Sequence, residues 1–367
     1  MMTGQNQKAM VAVGMSGGVD SSVTAALLLE QGYRVIGIMM RLWNGNPDQN
    51  AALQKRESQE KRAREIAHKL DIPFEIIDLE KEFRTKVVGY YLSSLKDGQT
   101  PNPCFVCNRE IKWGTLLQAA LGRGADRLAT GHYARVIRRF DGSSALLKGV
   151  DAKKDQSYVL AGLSQPQLSH ILLPLGEMTK EEIRHIAHRF GFGFQAEEES
   201  QDLCFLGGVS QELFLDTYSA DSNRTGVIRM VDGQVVGEHN GLSNYTIGQR
   251  KGLGSGFAEP VYVLEKDVLN NEIIIGTKAM LGSHSMIIGN VSWISGREPD
   301  LPTRFDFKIR YKSGLLPGKL IKLNNSEYQV FFDKRVRDAT PGQFAVFYHG
   351  DEVMGSSVIQ RVIREGS

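Results

Sequence analysis

The chain has 367 residues, which is typical of two or three domains, and 41% of them are hydrophobic, enough to fill several cores. No segment approaches about 18 consecutive apolar residues, so no membrane span is expected. The N-terminal residues lack the apolar core of a signal peptide, so we expect a cytoplasmic protein. The net charge of +2 provides no overall field for nucleic acid, and any such site must be a local patch.

The first predicted unit is a buried strand, a glycine-rich turn and a helix. The apolar run 10–13 ends at Gly14, the turn SGGVDSS covers 16–22, and apolar residues then recur at helical spacing from Val23. Glycines let the unpaired N–H groups of a helix start approach an anion closely, and the three serines add hydroxyl donors. The turn therefore predicts phosphate binding, although it matches neither GxxxxGKS/T nor GxGxxG. The pattern SGGxDS instead resembles the PP-loop of ATP pyrophosphatases; a plain βα turn would not need all of these residues.

Strands and helices alternate through the first half of the chain. Further strand patterns lie at 34–40, 74–78 and 126–131, and helical patterns lie at 57–70, 81–95, 108–121 and 179–190. This alternation predicts an α/β fold, a parallel sheet with helices on both faces. Ligands on such sheets bind at the carboxyl ends of strands, so we expect one nucleotide among the turn, Met40 and Gly131. The last of these helices opens with Thr179 and Glu182, the spacing of a capping box.

The pattern changes near residue 208, where helical periodicity fades and glycines become frequent. Short β-like runs follow at 226–231, 261–264, 273–275, 286–288, 305–309, 320–323, 328–332, 345–348 and 358–362. They predict a small β-rich central domain and a β-barrel at the end of the chain. We place a PP-loop catalytic domain at 1–208, the central domain at 209–283 and the barrel at 284–367.

The three cysteines call for a chemical explanation, because three are too few for a disulfide scaffold in a chain of this length. Cys104 and Cys107 form PCFVC before a predicted helix, whose N-terminus is expected to favour thiolate, and Cys204 stands about a hundred residues later. A structural zinc site lacks a fourth ligand at the usual spacing, and a dithiol redox pair leaves Cys204 unexplained. Two sulfur-handling sites explain all three: a 4Fe–4S cluster with one iron open, or a persulfide that a second thiol resolves by disulfide exchange. The structural alternative is that Cys204 is a small buried hydrophobe.

The motifs, taken in order, resemble those of the tRNA-specific 2-thiouridylases over nearly the whole chain. The matching segments are SGGVDSS (16–22), TPNPCFVCNREIKWG (100–114), ATGHYARV (129–136), KDQSYVL (154–160), DLCFLG (202–207), GLSNYTIGQRKGLG (241–254) and TPGQFAVFY (340–348). The resemblance implies an enzyme that binds ATP with Mg²⁺ and the anticodon stem-loop of tRNAs for Lys, Glu and Gln. ATP would adenylate the C2 oxygen of the wobble uridine, and sulfur would replace it to give 2-thiouridine, AMP and pyrophosphate. A sulfur-relay protein fed by a cysteine desulfurase is implied as the donor.

The resemblance also implies roles for individual residues. The ATP site would comprise Gly14, Met15, Ser16, Gly17, Gly18, Val19, Asp20, Ser21, Met40 and Gly131. The target-base loop would be Asn102, Pro103 and Cys104. The remaining tRNA contacts would be His132, Lys154, Asp155, Gln156, Arg310, Tyr311 and Gln343. The catalytic thiols would be Cys107 as nucleophile and Cys204 as persulfide carrier, with Cys104 beside them.

One departure from the family pattern concerns Cys104. Many members carry Asp there, as a proposed acid/base group, and that role is unassigned in this chain. The branch with Cys at this place resembles enzymes in which Cys104, Cys107 and Cys204 would be the metal ligands of a 4Fe–4S cluster. In the other mechanism Cys204 carries a persulfide and Cys107 releases its sulfur. Two rival functions are a PP-loop ligase or amidotransferase acting on a small metabolite, and a non-catalytic RNA-binding redox protein.

Overall fold

The computed structural model of the chain describes residues 9–193, 203–219, 224–337 and 339–363. The strands of its N-terminal part are β1 (Met10–Gly14), β2 (Arg34–Arg41), β3 (Phe74–Asp78), β4 (Arg127–Ala129), β5 (Ala134–Arg138), β6 (Ser144–Lys148) and β7 (Ile171–Leu172). Five of them form a parallel sheet in the order β3-β2-β1-β4-β7. Because β1 pairs Gly14 with Ile38 and β2 pairs Met40 with Ile77, the carboxyl ends of these strands lie at one edge. The predicted parallel α/β fold is confirmed.

The helices lie mainly in the same part of the chain. They are α1 (Val19–Glu30), α2 (Gln49–Lys69), α3 (80–96), α4 (103–121), α5 (Ser157–Leu160), α6 (Gln165–Leu168), α7 (Lys180–Arg189) and α8 (Gln211–Tyr218). Single 3-10 turns occur at Pro174–Glu177, Cys204–Leu206, Leu242–Asn244 and Lys278–Met280. None of the helices within the described ranges combines the length and the apolar character needed to cross a bilayer.

Both faces of the parallel sheet are covered. Side chains alternate along β1, so Val11 and Val13 join the core that contains α1, while Ala12 joins the core that contains α4. All three are fully buried. A central parallel strand buried on both faces explains why the sequence reads there as a continuous apolar run.

Two helix starts are determined by side-chain caps. α2 begins at Gln49, eight residues before the predicted start at residue 57, because the Asp48 carboxylate accepts the N–H groups of Asn50 and Ala51 at 3.0 and 3.1 Å. At α7 the predicted capping box is confirmed. Glu182 accepts the N–H of Thr179 at 2.7 Å, and the Thr179 hydroxyl accepts the N–H of Glu182 at 3.3 Å.

The helix that carries PCFVC begins earlier than the predicted 108–121. α4 starts at Pro103, since the side chain of Asn102 accepts the N–H of Phe105 at 3.1 Å and proline suits a first helical turn. Its middle, Asn108–Leu116, is π-helical, and such segments are frequent at functional sites. Both cysteines of the motif therefore lie in the first turns of a helix.

The remaining strands form two further sheets. They are β8 (Gly226–Met230), β9 (Val235–His239), β10 (Val261–Asp267), β11 (Glu272–Thr277), β12 (Ser283–Ile288), β13 (Ser292–Trp293), β14 (Thr303–Lys308), β15 (Leu316–Lys322), β16 (Tyr328–Val336), β17 (Phe344–His349) and β18 (Glu352–Ile363). The central sheet has the order β10-β11-β8-β9. The six strands β12-β16-β15-β14-β17-β18 close into a barrel, because β12 also pairs with β18. The predicted C-terminal barrel is confirmed.

The barrel is joined to the N-terminal part by main-chain pairing that the sequence did not predict. β5 and β6 form a hairpin within the N-terminal part, and β6 pairs with β18 of the barrel at Leu147 with Glu352 and Leu146 with Val353. The hairpin therefore continues the barrel sheet into the N-terminal part of the chain, which also carries the glycine-rich turn 16–22.

Candidate functional site

The turn between β1 and α1 is held in shape by its own serines. The Ser21 hydroxyl accepts the N–H of Ser16 at 3.2 Å and donates to the carbonyl of Gly18 at 3.1 Å, and the Ser22 hydroxyl donates to the same carbonyl at 2.8 Å. Gly17 has a φ of +76°, and a Cβ there would lie 2.9 Å from the carbonyl oxygen of Gln59 in α2. Helix α2 thus packs directly on the turn, and only glycine fits at this position.

Asp20 lies in the first turn of α1 and is fixed by two residues that sequence reasoning missed. Its Oδ1 accepts the Tyr133 hydroxyl at 2.8 Å and the Lys180 ammonium at 2.6 Å. Lys180 is the first residue of α7, so a distant helix supplies a cation to the turn. The turn itself contains no lysine, and the spacing of about 160 residues left no local signal for this partner.

Gly131 lies where β4 ends and packs on the start of α1. A Cβ at this position would approach the Cβ of Asp20 to 2.8 Å and the amide nitrogen of Ser21 to 3.0 Å. Gly131 is therefore required for the close approach of two backbones, whether or not it also contacts a nucleotide.

The other residues matched to the ATP site lie on the same edge. Gly14 ends β1, Val19 begins α1, and Met40 lies partly buried near the end of β2. Met15 is 2% exposed, and its sulfur lies against Gly37 in β2, so it presents main chain rather than side chain to this edge.

The three cysteines are free thiols that approach one another. Cys107 is buried in α4, whereas the residues Cys104 and Cys204 retain exposed surface although neighbouring atoms surround much of each thiol. Cys204 begins the 3-10 turn Cys204–Leu206. This turn is anchored by the N–H of Gly45, which donates to the Phe205 carbonyl at 2.8 Å. Phe205 in turn packs in an aromatic cluster with Phe83, Tyr91 and Phe214.

The electrostatics of the thiols differ from the sequence prediction. Burial, which dominates, and the nearby Cys204 raise the pKa of the Cys104 thiol. Burial raises the pKa of Cys107 to about 12, and Cys204 and Cys104 add to the effect. Burial also raises the pKa of the Cys204 thiol. The thiol pKa values therefore do not show the lowering that the helix N-terminus predicted, because burial is the largest effect on each of them. The charge of Cys204 acts on both thiols of PCFVC, so the three cysteines lie in one region.

Lys112 is a site residue that sequence reasoning missed. Its charge lowers the pKa of all three thiols and so opposes the effect of burial. Its ammonium lies 3.4 Å from Nε2 of His132, whose Nδ1 lies 2.5 Å from the Thr130 hydroxyl. Burial and the Lys112 charge lower the pKa of His132 well below its ordinary value. His132 is therefore neutral, accepts from Lys112 at Nε2 and donates to Thr130 from Nδ1.

His132 connects the thiols to the turn. It follows Gly131, which packs on Asp20 and Ser21, and it contacts Lys112, which faces the cysteines. The candidate ATP loop and the candidate sulfur site thus lie on either side of the short segment that follows β4.

Two residues matched to tRNA contacts lie in intramolecular hydrogen bonds. Asp155 is 9% exposed and accepts the N–H groups of Gly149 and Ser157 at 3.1 and 3.0 Å. Gln156 accepts the N–H of Tyr133 at 3.0 Å through its side chain. Lys154 lies in the turn just before them and is half-buried.

The barrel residues matched to tRNA contacts lie near this turn and near α4. The Arg310 guanidinium donates to the Thr340 hydroxyl at 2.7 Å. Tyr311 is 38% exposed, and its ring lies 6.3 Å from that of Tyr158 and 5.6 Å from the Lys308 ammonium. The amide nitrogen of Gln343 donates to the carbonyls of Thr100 and Pro101, at 2.9 and 3.3 Å, in the segment that leads into α4.

Among the residues that the structure describes, the side chains that could bind a metal ion are not grouped into a complete site. Within 9–193, 203–219, 224–337 and 339–363, no three His, Cys, Asp or Glu side chains are grouped in a way that could hold a metal ion. Thiols are the ligand type that iron–sulfur clusters take, and the charge of Cys204 acts on both Cys104 and Cys107.

Comparison with known proteins covers nearly the whole chain. Residues 9–208 match a family model described as the tRNA methyl transferase HUP domain, residues 212–277 match the tRNA methyl transferase PRC-barrel domain, and residues 283–359 match the aminomethyltransferase beta-barrel domain. The chain is 43% identical over 353 residues to the tRNA-specific 2-thiouridylase MnmA of Halothermothrix orenii, covering 95% of this chain and 98% of that protein.

Two further relatives have the same description. The chain is 42% identical over 360 residues to the tRNA-specific 2-thiouridylase MnmA of Geobacillus thermodenitrificans, covering 97% of this chain and 96% of that protein. It is 40% identical over 367 residues to that of Geotalea uraniireducens, covering 99% and 98%. With the glycine-rich turn, the three neighbouring thiols and the terminal barrel all in place, the chain belongs to the tRNA-specific 2-thiouridylase family.

Proposed function

We propose that this protein is a tRNA-uridine 2-sulfurtransferase that uses ATP to convert the wobble uridine of tRNA into 2-thiouridine. The observation that carries the proposal is the placement of Lys112 and three thiols on one side of the Gly131–His132 segment, with the glycine-rich turn on the other. Activation and sulfur transfer need these two sites to be adjacent, because sulfur attacks the C2 carbon that carries the adenylated oxygen.

ATP supplies the leaving group in this reaction. The C2 oxygen of uridine is expelled poorly by itself, so it attacks the α-phosphate of ATP and pyrophosphate leaves. Sulfur then adds to C2 and AMP departs with the former oxygen. The N–H groups at the start of α1 and the turn around Gly17 suit the phosphates of ATP, and Mg²⁺ would accompany them. The Asp20–Lys180 pair keeps a charged group at the edge of this site.

Two routes can supply the sulfur. In the persulfide route, the Cys107 thiolate attacks the inner sulfur of a Cys204 persulfide, a Cys107–Cys204 disulfide forms and hydrosulfide leaves to attack C2; a thiol reductant then restores both cysteines. In the other, Cys104, Cys107 and Cys204 would hold a 4Fe–4S cluster, which would supply a soft site for the sulfur. Cys104 in place of a carboxylate favours the second route, because it adds a third soft ligand.

The partners of the reaction follow from the same proposal. The substrate would be the anticodon stem-loop of tRNAs for Lys, Glu and Gln, with Tyr311 available for stacking and Arg310 and Lys154 nearby for phosphate. A sulfur-relay protein fed by a cysteine desulfurase would deliver sulfur to the exposed Cys204. Three free cysteines suit a reducing compartment, and we propose a cytoplasmic location.

The test is thiolation of tRNA with ATP, Mg²⁺ and a thiol reductant, with sulfur delivered at the persulfide level by a cysteine desulfurase and cysteine, followed by mass spectrometry of the wobble nucleoside. Sulfide is not used as the donor, because it cannot form the Cys204 persulfide without an oxidant and could attack C2 directly. We expect 2-thiouridine to form with the wild-type protein, and Cys204→Ser to abolish it while ATP still binds. Retained thiolation in this variant would refute the role of Cys204. Pyrophosphate release without tRNA would instead indicate a ligase acting on a small metabolite.

The iron and sulfide content of the purified protein distinguishes the persulfide route from the cluster route. Iron and labile sulfide are measured on protein purified without oxygen, for the wild type and for Cys104→Ser. The cluster route predicts iron in the wild type and its loss in the variant. Full activity of a metal-free preparation would leave the persulfide route.

A further inference from the structure

A turn of the C-terminal barrel, residues 340–344, is bound to the segment that leads into the cysteine helix. The N–H of Thr100 donates to the carbonyl of Pro341 at 2.9 Å. The side-chain amide of Gln343 donates to the carbonyls of Thr100 and Pro101 at 2.9 and 3.3 Å. Three hydrogen bonds therefore join two stretches of chain that are more than 240 residues apart.

The two segments are also packed without space between them. A Cβ at Gly342 would lie 2.7 Å from the Cβ of Gln99 and 2.9 Å from the nitrogen of Thr100. The Phe344 ring stacks on that of Phe105, with centroids 3.7 Å apart and planes 10° apart, and both rings are almost fully buried. Phe105 lies between the two cysteines of PCFVC, so the stack acts directly on their helix.

The barrel turn is itself held on both sides. Gly342 donates its N–H to the carbonyl of Ile359 in β18, and Ile359 donates back to the carbonyl of Gln343, each at 2.8 Å. The Tyr158 hydroxyl donates to the carbonyl of Phe344 at 2.9 Å and also bonds the side chain of Asn102. The barrel turn is thus supported independently of its hydrogen bonds to Thr100 and Pro101 and can act as a fixed support for the segment before α4.

We propose that Gln343 is a positioning residue for the sulfur site, holding the first turns of α4 so that Cys104 and Cys107 face Cys204. This inference rests on the proposed sulfurtransferase function. The resemblance assigns Gln343 to tRNA contact, but its amide nitrogen is engaged within the protein. The barrel would thereby determine the geometry of a reaction centre in another part of the chain.

The test compares thiol accessibility in the protein without tRNA. Gln343→Met keeps the length of the side chain but removes the donor, and Gln343→Asn keeps the amide but is too short to reach both carbonyls. Each variant is alkylated with iodoacetamide under reducing, metal-free conditions, and the rate at each cysteine is read by mass spectrometry. Loss of hydrogen bonds of ordinary strength predicts about threefold to tenfold faster labelling of the buried Cys107. Labelling of Cys204 should not change.

Steady-state thiolation gives the second readout. We expect both variants to lower kcat, because in each variant the thiols are already misplaced before tRNA binds. The KM for tRNA should change little, because the proposed role of Gln343 is to hold α4 and not to bind tRNA. Gln329→Met is the matched control, because its amide donates to the Ser285 hydroxyl at 2.7 Å elsewhere in the barrel. It should lower the melting temperature without changing Cys107 labelling or kcat.

The outcomes separate the positioning role from the others. Unchanged labelling with a raised KM would overturn the proposal and leave Gln343 as a tRNA contact alone. If Gln329→Met speeds labelling of Cys107 as much as the Gln343 variants do, the proposal is overturned, because general destabilisation then explains the effect. If the wild type thiolates no tRNA, the proposed function fails, while the labelling of Cys107 still reports whether Gln343 holds the helix. If the Met variant does not fold, the Asn variant carries the same comparison.

Discussion

Lys112 shows how a single charge can oppose burial at a reactive site. It lies five residues after Cys107, which is about one turn of the π-helical stretch Asn108–Leu116, so the two side chains lie on the same side of α4. Burial keeps the pKa of each thiol above its ordinary value, and Lys112 is the cation that lowers the pKa of every one of them. The neutral His132 ring accepts from its ammonium and holds it in place.

Replacement of this cation should slow thiol chemistry. In Lys112→Met the pKa of the Cys204 thiol rises further, so less thiolate exists at a given pH and alkylation at pH 8 falls by roughly threefold or more. The pH profile of alkylation should move to higher pH, because thiolate is the reacting form. Lys61→Met, at a lysine of α2 whose side chain is 79% exposed, is the control and should not move the profile. An unchanged profile for Lys112→Met would show that its charge does not reach the thiols.

At the scale of helices and strands, several side chains of the candidate site are positioned by the first turns of helices. The start of α1 carries the turn, the start of α4 carries Cys104, and the start of α7 brings Lys180 to Asp20. Only the last of these starts was predicted with its cap, because Thr179 and Glu182 are close in sequence. The cap of α2 was also local, at Asp48, but no apolar periodicity followed it, and the predicted helix began eight residues late.

Loss of the α7 cap should affect both stability and ATP. Thr179→Ala leaves the N–H of Glu182 without its acceptor, and we expect a loss of about 1 kcal/mol in the free energy of unfolding, measured in urea. Because Lys180 is the next residue, weaker ATP binding should accompany this loss, measured by titration calorimetry. Glu181→Gln, at an exposed residue of the same turn, should change ATP affinity little. Equal ATP affinity in the wild type and Thr179→Ala would show that the α7 cap does not influence ATP binding.

At the scale of the molecule, the barrel and the N-terminal part share buried contacts. The Tyr348 hydroxyl lies 3.1 Å from that of Ser157, and the Ser356 hydroxyl donates to the carbonyl of Ala161 at 2.9 Å. These residues are buried, and β6 extends the barrel sheet beside them. The two parts should therefore unfold together.

Tyr348→Phe tests this coupling. The substitution removes one buried hydrogen bond but leaves Ser157 bonded to Asp155, so we expect a loss of about 1 kcal/mol rather than a collapse. Hydrogen exchange followed by mass spectrometry should become faster in β1 as well as in β18. Tyr328 lies in β16, which pairs with β12 and β15. Tyr328→Phe is the control and should make hydrogen exchange faster mainly within the barrel. Faster exchange confined to the barrel in Tyr348→Phe would show that the two parts open separately.

Features that depend on local pattern were predictable from the amino-acid sequence. Apolar runs and alternation predicted the parallel sheet and the barrel, and the glycines and serines of 16–22 predicted the phosphate-type turn, because period and turn chemistry act over a few residues. Only the tertiary structure decided which distant side chains meet. It brought Lys180 to Asp20, Lys112 and Cys204 to the PCFVC pair, and Gln343 to Thr100. It also reversed the predicted shift of the thiol pKa values, since burial is a property of the packed chain and outweighs the helix end that the sequence revealed.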